Sequence, residues 1–242
     1  MVPHDLPRRW WSADSVHGMS EPMSPSVGLA VVHFFCKPTP QFDPQALVNA
    51  VKAAENSGVT VITVSMLGHK ADLAVMGLAA DMRELKSLQT GIQRAGLDIV
   101  DSYVSLTEVS EYSKGMPAEM LNARLYPTLP PVGKYAWCFY PMSKRREANQ
   151  NWFTLEFEKR KELMEEHGKS GRTFAGRVIQ LVTGSTGLDD FEWGVTLFAV
   201  HPDDLKEVVY TMRYDEASAI YADFGAFYVG MVTPVEELVT QI

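Results

Sequence analysis

A strand running straight into an amphipathic helix is written twice in this chain, as DLAVMGLAADMRELKSLQ from Asp72 and as DFEWGVTLFAVHPDDLKEVV from Asp190. Each apolar run ends at a helix-start signal, Asp81 in the first and Pro202 in the second. Leu85, Leu88 and Ile92 then recur at helical spacing, as do Leu205, Val208, Val209 and Met212. A repeated strand–helix unit restricts the chain to an architecture of two related halves.

The flanking residues fill in both halves. In the first, a strand over residues 27–37 precedes the Asp43-Pro44 helix start, and the helix runs to Gly58 with Ala46, Leu47, Ala50, Val51 and Ala54 on one face. Strands over 59–67 and 71–79 follow, turned by Gly68 and His69, then the Asp81 helix, then a strand within 98–112. In the second, residues 135–140 form a strand and 155–167 a helix, with strands over 175–183 and 191–200 joined by a Gly184-Ser185-Thr186-Gly187 turn. The Pro202 helix and a strand over 227–231 close the set. Both halves read β-α-β-β-α-β, so the fold class is α+β, two tandem ferredoxin-like (βαββαβ) units, with two facing antiparallel sheets forming a barrel. The expected division is an arm over 1–26, a first unit over 27–112, a Pro-rich irregular linker over 113–134 and a second unit over 135–242.

Composition sets bounds on function. With 242 residues, 46% of them hydrophobic and 21% charged, the chain has a globular composition. A net charge of −8 argues against general binding to nucleic acid or anionic membranes. The apolar run 27–35 is too short for a membrane span, and no signal-type apolar region follows Arg8-Arg9, so a cytoplasmic location is expected. Cys36 and Cys138 read as buried free thiols.

The chemistry concentrates in YAWCFYPMSKRREANQNWFTLEFEKRKELMEEHGKSG, residues 135–171. Pro141 is expected to end the strand at Tyr140, leaving Lys144, Arg145 and Arg146 in a basic turn. His167 is expected to end the helix, with Gly168 as its C′ glycine. An oxidisable phenol, a cationic loop and a metal-capable imidazole thus lie close in sequence. Taken singly, each has an ordinary reading: packing for the tyrosine, a helix-dipole contact for the histidine and solvated surface for the basic run. His4, His17, His33, His69 and His201 lack the spaced partners of a multi-histidine metal site.

YPMSKRR, the following NW, EEHGKSGR and GSTGLDDFEWGVTLF together resemble the coproheme decarboxylases of the chlorite dismutase superfamily, over most of residues 100–230. The resemblance implies a subunit of the dimeric α+β barrel type and a homopentamer. It implies that His167 is the proximal ligand of a porphyrin iron. The implied substrate is iron coproporphyrin III (coproheme), two of whose propionates become vinyls to give haem b, with hydrogen peroxide as oxidant. It further implies that Tyr140 is the radical-forming residue and Lys144 the partner of a reacting propionate. Arg124, Met142, Trp152, Gln180 and Ser218 are implied substrate contacts, and a transient contact with coproporphyrin ferrochelatase is implied as well. Chlorite-degrading members carry a distal arginine where this chain has Gln180, and a neutral amide does not hold an oxychlorine anion as guanidinium does. Together with Lys144 and the absence of histidine between His69 and His167, this resembles the Firmicutes-type branch. The alternatives are a haem peroxidase or chlorite dismutase, a non-catalytic haem-binding or haem-transfer protein, and an α+β barrel without haem.

Overall fold

The computed structural model describes residues 21–113 and 115–242. His4, His17 and the Arg8-Arg9 pair lie outside the described residues. The first half comprises β1 (Ala30–Pro38), α1 (Pro44–Asn56), β2 (Thr60–Leu67), β3 (Leu73–Ala79), α2 (Met82–Arg94) and β4 (Leu97–Thr107). α3 (Ala118–Leu125) leads to β5 (Ala136–Lys144), a small hairpin of β6 (Arg146–Glu147) and β7 (Gln150–Asn151), and α4 (Phe157–Arg172). Next come β8 (Val178–Gly184), β9 (Trp193–Ala199), α5 (Pro202–Met212), α6 (Glu216–Ala219), β10 (Ala222–Phe224), β11 (Tyr228–Val232) and α7 (Val235–Leu238).

The local signals act as their chemistry dictates. Asp43 accepts hydrogen bonds from the backbone N–H groups of Gln45 and Ala46 and caps α1, a contact of about 1 kcal/mol. Asp81 caps α2 by accepting from Arg83 N. It also accepts from Met23 N at 3.1 Å, which ties the end of the expected arm to this helix.

The two halves do not form two facing sheets. Their strands join into one: β11 pairs with β2, β4 pairs with β8, and β5 pairs with β9 to close the ring. The reason is edge chemistry, since each half alone would present unpaired N–H and C=O groups at both edges. Adjacent residues of a strand then face different cores. Phe35 points into the barrel with Ile62, Met76, Trp137, Phe139 and Phe198, while Phe34 points outward under α1 and α2 with Leu47, Leu88 and Ile92. The barrel is filled by side chains. At Gly194 a Cβ would stand 2.8 Å from Tyr103 Cε1, so the inner rings need that position bare. The barrel interior is thus closed to a large ligand.

Three further expectations are corrected. Pro141 does not end β5, which runs on to Lys144. The N–H and C=O of a strand residue point to the same neighbour, and Pro141 O accepts from Gly225 N at 2.8 Å, in the gap between β10 and β11. The missing proline N–H falls in that gap, where no strand partner is lost. Gly168 does not end α4, which continues through Arg172 to a cap at Thr173; the first left-handed glycine after it is Gly176, at φ 84°. His167 is therefore an interior helix residue. Finally, the stretch expected as irregular contains α3. Among the described residues, no helix is long and apolar enough to cross a membrane.

Candidate active site

The continuation of β5 past Pro141 determines the site. Side chains two residues apart share a strand face, so Tyr140, Met142 and Lys144 form one row on the outer face of the barrel. Register extends that face across the sheet. Tyr140 lies opposite Val195 of β9, and Val195 lies opposite Val182 of β8. Gln180, one alternation along from Val182, lies opposite Leu197, which lies opposite Cys138. Tyr140 and Gln180 thus occupy the same face, two strands apart.

Tyr140 is buried, with Phe227 stacked on it at 4.5 Å between ring centres and Phe224 edge-on at 5.7 Å. Burial pushes the phenol well above its ordinary pKa, so it is neutral across physiological pH. Its hydroxyl has no hydrogen-bond partner among the described residues.

Lys144 is also buried. Its Nζ donates to Ala217 O at 2.7 Å and lies 4.3 Å from the centre of the Trp152 ring. Burial lowers its pKa to about 8, opposed by the carboxylates of Asp215 and Glu192. Trp152 packs with Leu163, Ala217 and Tyr221. The neighbouring cations are engaged elsewhere: Arg145 pairs with Asp223 at 2.8 Å, and Arg146 pairs with Glu192. The basic run supplies one buried amine in the row with Tyr140 and two structural clamps, not a freely cationic loop.

His167 comes from α4. Its Nδ1 lies 3.1 Å from both oxygens of Asp215, whose side chain is only 2% exposed, and 3.4 Å from Ser218 Oγ. Asp215 also accepts from Ser218 N at 3.0 Å. Burial alone would raise the Asp215 carboxyl, but the imidazole and the Ser218 N–H hold it below its ordinary value. In the neutral ring an anionic acceptor at Nδ1 makes that nitrogen the donor and Nε2 the lone-pair atom, the arrangement that orients a metal-binding imidazole. Among the described residues Nε2 has no hydrogen-bond partner.

α4 packs on α5 and α6 and buries only Leu163 of its sixteen residues. On β8, Gln180 is exposed and Val182 is 39% exposed. His167 Nε2 is the metal-capable atom of this cluster, and the Tyr140–Lys144 row is linked to it through the α6 turn that both Lys144 and His167 contact.

The remaining sequence candidates divide. Met142, half-buried, and Trp152 join the row; Ser218 joins the His167 cluster. Arg124 is exposed on α3 and donates to Ser113 Oγ at 2.9 Å, and is not brought into contact with Tyr140, Lys144 or His167. Asp215 and Glu192 escaped the sequence reading. The spacing Asp215–Ser218, a capping signal, was available for the first; no local pattern marks the second.

The structure is a closed α+β barrel that carries, on an outer helix, a histidine held by a buried carboxylate. The chain belongs to the chlorite dismutase family, whose model matches residues 43–233. It is 46% identical over 188 residues to the coproheme decarboxylase of Staphylococcus carnosus, covering 73% of this chain and 74% of the relative. A heme-binding protein from Thermus thermophilus superposes with a TM-score of 0.78 at 33% identity, over 88% of this chain and 94% of that one. A chlorite dismutase mutant from Candidatus Nitrospira defluvii has a TM-score of 0.71 at 18% identity, over 90% of this chain and 96% of that one, and shares the fold.

Proposed function

We propose that this protein is a hydrogen peroxide-dependent coproheme decarboxylase that converts two propionates of iron coproporphyrin III to vinyls, giving haem b. The observation that carries the reading is the row of Tyr140, Met142 and Lys144 on the face that α5 packs against, with Lys144 and His167 anchored to the same α6 turn. The 46% identity to a coproheme decarboxylase supports it.

In each step one propionate loses carbon dioxide and a hydrogen from its β-carbon, with two electrons. One hydrogen peroxide takes up those electrons and, with protons, leaves as two waters. The iron porphyrin is the substrate and supplies the redox chemistry. The chain's own residues bind and direct it. His167, oriented by Asp215, would hold the porphyrin iron. Tyr140 is the hydrogen-abstracting group: its phenol, kept neutral by burial, would give up its proton and an electron to the peroxide-derived oxidant and regain both as the hydrogen taken from the β-carbon. Lys144 pairs with the reacting carboxylate and donates a proton, being largely protonated below about pH 8. Met142, Trp152, Gln180, Ser218 and Arg124 are substrate contacts, Arg124 from the rim. Gln180 offers no cation to an oxychlorine anion, which disfavours chlorite turnover.

The proposed setting is a cytoplasmic homopentamer in transient contact with coproporphyrin ferrochelatase. Leu67 and Val229, paired across the β2–β11 seam, and Met231 beside them are exposed apolar side chains that support self-assembly. Light scattering tests it: a mass of one or two subunits contradicts the ring. For the activity, the protein is mixed with coproheme and peroxide and the porphyrin is analysed by mass spectrometry. Two successive losses of formic-acid mass support the reading. Unchanged coproheme contradicts it and favours binding without decarboxylation.

A further inference from the structure

β5 outlasts its neighbour. β9 begins at Trp193, opposite Met142, so the last two residues of β5 have no strand on that side. Met142 O faces this side, since it accepts from Glu192 N at 3.2 Å. By strand alternation the N–H of Lys144 faces it too. A buried N–H without an acceptor is costly.

The acceptor is a side chain. Glu192 Oε2 accepts from Lys144 N at 2.8 Å, and Oε1 accepts from Arg146 Nη2. Glu192 is itself fixed: its N–H also lies 3.1 Å from Ser143 Oγ, and its carbonyl accepts from Ser185 N at 2.8 Å. It is 7% exposed, and a buried carboxylate persists only with such partners.

We propose that Glu192 is the positioning residue that keeps Lys144 on the reactive row, its carboxylate standing in for the missing strand. The inference rests on the reading of Lys144 as the proton donor. The grip holds Lys144 in strand conformation, so that its amine leaves the sheet on the face of Tyr140 and reaches α6. The Arg146 pair holds the far side of the turn. The charged and titratable groups facing Lys144 are Glu192 ahead of β9, Asp215 at the start of α6 with His167 behind it, and Arg145 and Arg146 along the chain. Removing the Glu192 charge therefore makes the protonated amine less stable.

Two variants of the full chain separate geometry from charge. Glu192→Gln keeps an acceptor for Lys144 N–H, whereas Glu192→Ala removes both acceptor and charge. With coproheme and peroxide, Glu192→Ala is expected to lower kcat about ten- to a hundredfold with KM nearly unchanged, as for a displaced proton donor. In a Lys144→Ala background the same change adds less than about twofold, because both act through one amine. In Glu192→Gln the Lys144 Cε resonance, followed by NMR without porphyrin or peroxide, titrates at lower pH than in the wild type, and the alkaline limb of the rate moves with it. Additive kinetic losses, or a Lys144 resonance that titrates unchanged, overturn the proposal. If the wild type makes no decarboxylated product, the functional reading fails, while the NMR titration still decides whether Glu192 governs Lys144.

Discussion

Lys144 and His167 are held by the same four-residue turn. Lys144 Nζ donates to Ala217 O at 2.7 Å, and His167 Nδ1 lies 3.1 Å from Asp215, the residue that caps that turn. The side chain proposed to meet the substrate's propionate and the one proposed to meet its iron thus share one anchor. Asp215→Asn weakens the acceptor at Nδ1 while leaving the shape intact. Iron-porphyrin affinity or turnover is expected to fall about 10–100-fold, the usual cost of losing an outer-shell partner. Titration with haem b followed by its absorption spectrum checks this; unchanged affinity together with unchanged turnover refutes it.

His167→Ala is expected to abolish histidine ligation without unfolding the chain. The residue is interior to α4, alanine is the better helix former, and the His167 side chain is 25% exposed. A retained five-coordinate histidine spectrum would mean that another residue binds the iron.

Tyr140→Phe deletes one hydroxyl that has no partner among the described residues, so folding and porphyrin binding should persist. Turnover is expected to fall to background, with four-propionate coproheme remaining after peroxide is added. Accumulation of a three-propionate product would restrict Tyr140 to one of the two sites. Haem b formed at the normal rate would remove the phenol from the mechanism.

Lys144→Ala should slow the reaction more than it weakens binding, with a binding loss of about 1–3 kcal/mol. In the wild type the rate should decline as pH rises through about 8, where Lys144 loses its proton. A rate in Lys144→Ala equal to the wild type at neutral pH would exclude the role.

His33 gives a stability test away from the site. It is fully buried in the barrel, with Nε2 3.0 Å from Thr196 Oγ1 and the ring 4.2 Å from that of Phe139. Burial lowers its pKa from 6.5 to about 3. Between those values the unfolded chain binds a proton that the folded chain refuses. The neutral-ring stability is complete above about pH 6.5 and is lost as pH falls toward 3, by up to about 1.4 kcal/mol per pH unit. Urea unfolding at pH 7 and pH 5 should show a smaller pH dependence in His33→Gln than in the wild type. Equal dependence would assign the acid sensitivity to other groups.

The β-α-β-β-α-β order of both halves, the Asp43 and Asp81 caps and the alternation of Trp137 and Phe139 with Cys138 and Tyr140 were legible in the sequence. Each depends on residues only a few positions apart, and periodicity and capping are local physics. Tyr140, Lys144 and His167 stood out by side-chain chemistry and by motif. What surrounds them did not. Pro141 reads locally as a strand breaker, and only the gap between β10 and β11 makes it harmless. Gly168 reads as a helix stop, yet α4 continues through Arg172. Barrel closure, the shared face of Gln180 and Tyr140, the Asp215 hold on His167 and the Glu192 hold on Lys144 all join residues distant in sequence. Strand register and buried charge pairing decide such contacts, and both exist only once the chain has closed on itself.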